Sequence, residues 1–346
     1  MKFYMLCSTS GEFYTNLCIS KILAKNLNCT LVSYNKFQIS GIRLLNSFYL
    51  VLRSFRKLRQ RHTLIYQFPP KIEVIPTILV NQILGPKPIA IVHDLDHLRG
   101  IKNTGLYFFR DKYGFGLLKK SFVILHKGRM WNYLVDNGIT PVGEIRLWPH
   151  LINPSGSSSK KVRRSDEIGG EIRPSILYAG NLNPEKASFI FQLGSLKRPV
   201  SIYGEGHQMK PDSNITLFPS FKPESPPQFT HPQLGLIWDG DSMDSLIGTF
   251  GEYNKINLPA KLSLYIALGI PIVASSQSGI AAFIKETGIG ICVTSLDKIP
   301  MSFSDSEWRN MELNCKKMQR AVTHGDSLTG AFDELVTKLF AGKINH

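Results

Sequence analysis

Residues 234–291 read LGLIWDGDSMDSLIGTFGEYNKINLPAKLSLYIALGIPIVASSQSGIAAFIKETGIGI. Leu234 to Trp238 is an apolar run of the length of a buried strand. Pro259-Ala260-Lys261 opens a helix. Proline at the first helical position has no N–H to leave unpaired, and the N–H groups beside it, with the positive end of the helix dipole, attract phosphate. Lys261 adds a point charge. The run to Leu268, followed by Gly269-Ile270-Pro271, closes the helix on a C-terminal glycine and restarts the chain as the apolar strand Pro271 to Ala274. Strand, anion-binding helix start and second strand make a parallel α/β unit whose natural ligand is a diphosphate.

The same alternation runs along the rest of the chain. In the first part the apolar runs predict strands at Phe3 to Cys7, Cys29 to Tyr34, Thr63 to Gln67, Ile89 to His93, Phe122 to Leu125 and Ile145 to Leu147. In the second they predict Ser175 to Tyr178, Val200 to Tyr203, Ile215 to Phe218, Leu234 to Trp238, Pro271 to Ala274 and Gly290 to Val293. Between the two sets, residues 153–174 are polar and without hydrophobic period, the mark of a linker or long exposed loop. The reading is therefore an N-terminal domain over 1–152, a linker over 153–174, a C-terminal domain over 175–325 and a final helical segment over 326–346.

Two domains of ordinary size fit into 346 residues, and 43% hydrophobic content excludes general disorder. No window approaches a membrane span, and the opening MKFYMLCSTSGEFYT fits a buried first strand better than a signal peptide. A cytoplasmic protein is expected. The five cysteines have neither CxxC spacing nor an even count, so buried free thiols are expected.

The net charge of +15 is unevenly placed: residues 1–150 carry 21 Lys and Arg against 7 Asp and Glu, the rest 20 against 19. Six of these cations lie between Ile42 and Arg61, where Leu45, Phe48, Tyr49, Leu52 and Phe55 can share one helical face. That pattern fits an anionic membrane surface, which would place the protein on the inner face of the cell membrane; it equally fits a domain helix with its apolar face in the core.

Candidate site residues cluster after strand ends, where open parallel sheets bind ligands. Gly180 and Asn181 follow the first strand of the second part, and Lys186, five residues further on, can reach a phosphate oxygen. Phe221 offers a ring and Tyr203-Gly204 a close backbone approach. Asp239-Gly240-Asp241 imitates an Asp-x-Asp cation motif and can instead bind sugar hydroxyls, as can Tyr253 and Asn254 before the helix. In the first part His93-Asp94-Leu95-Asp96 ends a strand, and Ser10 and Gly11 follow another.

Pro-x-Lys, an aromatic, and Ala-x-Gly-x-Pro, here Pro259 to Pro271, resemble the C-terminal domain of nucleotide-sugar glycosyltransferases of the GT-B fold. The segments LIYQFP (64–69), IAIVHDLDHLRG (89–100) and ILYAGNLNPEKASF (176–189) are similar, in order, to bacterial β-1,6-galactofuranosyltransferases of O-antigen synthesis. They are also similar to streptococcal glucosyltransferases acting on protein-linked N-acetylglucosamine. The resemblance implies an α/β GT-B fold, two Rossmann-like domains facing across a cleft, with the final helix crossing back to the first domain. It further implies a UDP-sugar donor, a diphosphate contact for Lys186, a metal-free site with no cofactor, and a glycan acceptor linked to lipid. Transfer with inversion needs a base for the acceptor hydroxyl, and the candidates are Asp94, then Asp96 and His93. Many GT-B enzymes carry glutamates where this chain has Leu264 and Ala282, and the second usually grips ribose; the galactofuranosyltransferase branch lacks it too.

Other functions stay open at this level: glucosyl transfer to a protein-linked sugar, a non-catalytic partner subunit, and self-association. A nucleic-acid-binding role, suggested by the basic half, lacks any recognised motif, so no nucleic-acid partner is expected.

Overall fold

The computed structural model describes residues 1–8, 14–34, 40–99, 106–152, 170–205 and 213–342. The chain forms two compact units, one of Met1–Pro149 with Gly325–His346 and one of His150–His324. The segment expected as a linker lies outside the described residues up to position 169.

The first unit holds six parallel strands, β1 (Phe3–Ser8), β2 (Thr30–Tyr34), β3 (Thr63–Phe68), β4 (Ile89–Val92), β5 (Phe122–Leu125) and β6 (Pro141–Glu144), in the order β2-β1-β3-β4-β5-β6. The inner strands are buried on both faces, and so β4 and β5 read as unbroken apolar runs, IAIV and FVIL. The last strand departs from the sequence reading, which placed it at Ile145 to Leu147. There the backbone is engaged elsewhere: the N–H groups of Arg146 and Leu147 both donate to Ser327 Oγ of the C-terminal helix Asp326–Phe340. Ile145 and Leu147 stay buried, so burial and apolarity were read correctly while the ladder partner was not.

That C-terminal helix belongs to the first unit. Phe332 meets Phe3 edge-on at 6.0 Å, and Lys338 Nζ donates to the Val142 carbonyl at 2.8 Å. The preceding helix, Asp305–His324, stays with the second unit, where Gln319 donates to the Ala267 carbonyl. Gly325, with φ of 70°, makes the break, a left-handed conformation that glycine adopts without steric cost.

The second unit holds β7 (Ser175–Asn181), β8 (Val200–Glu205), β9 (Ile215–Phe218), β10 (Gln233–Ile237), β11 (Ile272–Ser275) and β12 (Gly290–Val293), all parallel, in the order β12-β11-β10-β7-β8-β9. Counted within this sheet, the order is 3-2-1-4-5-6, with the topological switch between β7 and β10. Ligands of such sheets bind beyond the carboxyl ends of the two switch strands. Beneath that point lies a core of Ile176, Tyr178, Phe189, Leu236, Trp238 and their neighbours, each large apolar side chain contributing about 1.5–3 kcal/mol by burial.

The helix Ala260–Leu268 packs beside this switch, closed by Gly269 in the left-handed region. Pro259 is its N-cap, with extended ψ of 137°, rather than its first helical residue. From this helix the Tyr265 ring lies over β10 at Gly235, where a Cβ would stand 2.6 Å from ring carbons. The Tyr265 hydroxyl accepts from Ala179 N at 3.1 Å and lies within donating distance of the Leu177 and Leu236 carbonyls. The phenol therefore clamps the two switch strands together and cannot swing away. Gly235→Ala is expected to cost about 1–3 kcal/mol by overpacking, read as a lowered midpoint of thermal unfolding; an unchanged midpoint shows that the ring is not wedged there.

Candidate functional site

At the carboxyl end of β10 the chain turns through Trp238 and Asp239, and the side chain of Lys261, the second residue of the helix Ala260–Leu268, lies against them. Lys261 Nζ is 3.2 Å from Asp239 Oδ1, with side-chain exposures of 11% and 7%. It also points at the Trp238 carbonyl at 3.5 Å and sits 4.1 Å from the centroid of the Tyr178 ring. A buried ammonium needs such compensation, and the aromatic face adds a cation–π contact. Burial pulls the Lys261 ammonium below its usual range, and the Asp239 carboxylate opposes that pull only in part.

Gly180 is the other wall. A Cβ there would lie 3.0 Å from Lys261 Cε and 3.3 Å from Nζ, so the absence of a side chain lets the lysine lie along the end of β7. Asp239 is held from its far side as well, since the buried Asn254 donates to its Oδ2 at 3.3 Å. Asn254 ends the helix Gly248–Asn254, in which Tyr253 is also buried. The structure thus brings Gly180, Asp239, Asn254, Pro259 and Lys261 together. It turns Asp239 inward as the counter-ion of Lys261, and Asp241 departs from it to accept from Ser188 Oγ at 3.2 Å.

Lys186 stands on the short helix Pro184–Ala187 that follows β7. Asn183 caps the short helix Pro184–Ala187 by accepting from Glu185 N, and Asn181 Oδ1 accepts from Asn183 N at 2.8 Å. The Gly240 N–H donates to the Lys186 carbonyl at 2.9 Å, which ties the loop after β7 to the loop after β10. Both lysines therefore rise from hydrogen-bonded neighbours at the switch point. Phe221 belongs to a separate aromatic group on the β8 and β9 side: Tyr203 stacks on Phe218 at 4.5 Å and meets Phe221 edge-on at 5.3 Å and Phe229 at 6.1 Å. Glu252 pairs with Lys255 at 2.6 Å.

Sequence reasoning missed Tyr178 and Tyr265. Tyr265 follows Lys261 by four residues, the spacing that puts two side chains on one helix face, and that signal was available. Of the usual GT-B glutamate positions, Leu264 is buried in the helix and Ala282 is exposed at the start of Ala281–Thr287.

In the first unit, His93 follows β4. Its ring stacks on Trp148 at 4.5 Å and 17°, and its Nε2 is 2.8 Å from Gln67 Oε1. Gln67 Nε2 donates to the Asn16 carbonyl at 3.2 Å, which orients the amide so that Nε2–H of His93 is the donor. Asp94 pairs with Arg99 at 3.1 Å, both side chains about one-third exposed (32% and 29%). Asp96 begins a 3-10 turn, Asp96–Arg99, and its side chain lies outside the described residues, as do Ser10 and Gly11 altogether.

Two outcomes test these arrangements. Asp239→Asn removes one charge of a buried pair and should cost about 3 kcal/mol; adding Lys261→Met in the same chain should recover most of that loss in denaturant unfolding. Burial pushes His93 down to about 4, below the ordinary imidazole value of about 6.5. Protonation then favours the unfolded chain, so the stability owed to neutral His93 is present above that ordinary value and is lost as pH falls towards 4. At roughly pH 5 the loss is about 2 kcal/mol, and His93→Gln should remove it from the pH dependence. Burial pushes His150 to about 4 as well, so part of the acid sensitivity should persist.

Comparison with known proteins bears on the family of the chain. Residues 18–143 match the family described as Glucosyltransferase 3-like, N-terminal domain, and residues 176–335 match its C-terminal domain. The chain is 28% identical over 291 residues to the Escherichia coli (strain K12) β-1,6-galactofuranosyltransferase WbbI, covering 82% of this chain and 81% of that one. It is 24% identical over 251 residues to Glucosyltransferase 3 of Streptococcus gordonii, covering 70% and 69%. Among solved structures, sucrose-phosphate synthase from Thermosynechococcus elongatus superposes with a TM-score of 0.57 at 10% identity, over 99% of this chain and 100% of that one. With both domains of one family matched in order on two parallel α/β units, the chain belongs to the glucosyltransferase 3-like family and is a glycosyltransferase of the GT-B fold.

Proposed function

We propose that the protein transfers a hexosyl unit, galactofuranosyl in preference, from a UDP-sugar to a lipid-linked precursor of a cell-surface glycan, with inversion and without a metal ion. The observation that carries this reading is Lys261, a buried ammonium at the β7/β10 switch point with Lys186 on the short helix that follows β7. In the proposed reaction the acceptor hydroxyl oxygen attacks the anomeric carbon as the bond to UDP breaks. Asp94 takes the hydroxyl proton. Lys186, Lys261 and the helix start after Pro259 stabilise the negative charge that grows on the departing diphosphate.

Asp94 is preferred over His93 as base because its carboxylate is partly exposed, whereas His93 is pinned between Trp148 and Gln67. Metal independence is proposed because the Asp239 carboxylate is already matched to Lys261 and Asn254. Galactofuranosyl is preferred on the higher identity to the E. coli enzyme; the S. gordonii relative supports a second reading, glucosyl transfer to a protein-linked sugar.

In calorimetric titration with UDP, Lys261→Ala and Lys186→Ala should each weaken binding by at least about tenfold, as expected for loss of a charge-assisted hydrogen bond of roughly 1.5–3 kcal/mol. Asp94→Asn should leave UDP binding intact and lower kcat by about 100-fold or more. Unchanged UDP binding in both lysine variants would sink the donor site, and a panel of UDP-galactofuranose, UDP-galactopyranose and UDP-glucose separates the two readings.

A further inference from the structure

The helix Ser40–Arg59 of the first unit is inserted the wrong way round for a domain helix. Among its described side chains, from Leu45 on, the buried stripe is Asn46, Ser47, Leu50, Ser54 and Leu58, three of the five being polar. Its outer face presents Leu45, Phe48, Tyr49, Leu52 and Phe55, which are 69%, 64%, 51%, 56% and 46% exposed. An amphipathic helix normally puts its large apolar side chains into the core. Here the core takes three small polar side chains beside Leu50 and Leu58, and Leu45, Phe48, Tyr49, Leu52 and Phe55 face outward as a contiguous stripe.

The helical repeat places Arg56 and Arg59, both exposed, on that same outer face towards its C-terminal end. The neighbouring helix Ile75–Leu84 packs against the first, with Leu58 close to Gly85 at its end, and exposes Leu79, Ile83 and Leu84. From Ser40 to Lys87 the chain carries one acidic residue, Glu73, and it is buried. A large exposed apolar patch marks an interaction surface. An apolar stripe continued by arginines, with no exposed carboxylate among them, is complementary to an anionic lipid leaflet: the rings enter the acyl boundary and the guanidinium groups meet phosphate. A second copy of the same face fits less well, because it brings the cations of both copies into one interface while the one carboxylate of residues 40–87, Glu73, is buried.

We infer that the two helices Ser40–Arg59 and Ile75–Leu84 form a docking face for an anionic membrane surface, with Phe48, Leu52 and Phe55 as the inserted side chains and Arg56 and Arg59 as the headgroup contacts. The inference stands on this surface alone and does not depend on the donor or the reaction.

Flotation of the full chain with lipid vesicles tests it. The wild type should float with vesicles of phosphatidylcholine mixed with phosphatidylglycerol, remain behind with phosphatidylcholine alone, and be released by salt. Phe48→Ser with Leu52→Ser, and separately Arg56→Glu with Arg59→Glu, should each lower partitioning by about tenfold or more, while UDP binding and thermal unfolding stay at wild-type values because all four positions are exposed. The inference is overturned if the wild type floats with neither vesicle, or if both double variants float as the wild type does. It is also overturned if sedimentation shows a dimer that Phe48→Ser with Leu52→Ser splits into monomers without any lipid binding by the wild type, since the stripe would then be an interface between copies.

Discussion

A charged lysine out of water is the constraint around which the second unit is arranged. Lys261 can stay ionised at 11% side-chain exposure because Asp239 faces it at 3.2 Å and the Tyr178 ring lies under it. Each partner brings its own requirement. Asp239 needs the Asn254 amide on its other oxygen, Tyr178 needs the end of β7 alongside β10, and the lysine stem needs position 180 to have no side chain. Tyr265, one turn further along the same helix, holds β7 and β10 in register beneath this group. The result is an ammonium held in one place by an ion pair, an aromatic face and a strand end.

The buried pair also explains how an apparent Asp-x-Asp motif comes to have another role. Asp239 and Asp241 sit on opposite sides of Gly240, whose φ of +108° turns the chain between them. One carboxylate goes inward to Lys261 and the other outward to Ser188. Their spacing in sequence is that of a cation site, but the turn separates their directions.

Much of this was legible before any coordinates. Inner parallel strands buried on both faces leave unbroken apolar runs, and among the described residues eleven of the twelve strands stand where apolar runs are. At the exception, Ile145 to Leu147, the two apolar side chains are buried like the others and the Ile145 N–H donates to the Leu125 carbonyl, but the N–H groups of Arg146 and Leu147 are taken by Ser327, 181 and 180 residues away in sequence. Lys261 and Gly180 were visible as parts of local motifs. The role of Asp239 as a counter-ion was not, because it depends on an approach between a strand end and a helix that follows a 20-residue connection. His93 likewise reads as a strand-end histidine; its stack on Trp148 and its bond to Gln67 come from two other parts of the unit.

The sequence by itself determined the α/β class, eleven of the strands among the described residues and the helix after Pro259, because these rest on local periodicity, on a proline and on a glycine. It also pointed to a basic amphipathic helix within residues 42–61, and the helix observed is Ser40–Arg59. Which face of that helix meets the core was decided by the tertiary structure. Periodicity reports only that two faces differ, whereas burial depends on what the surrounding elements offer, and here they accept Asn46, Ser47 and Ser54 and leave Phe48, Leu52 and Phe55 outside.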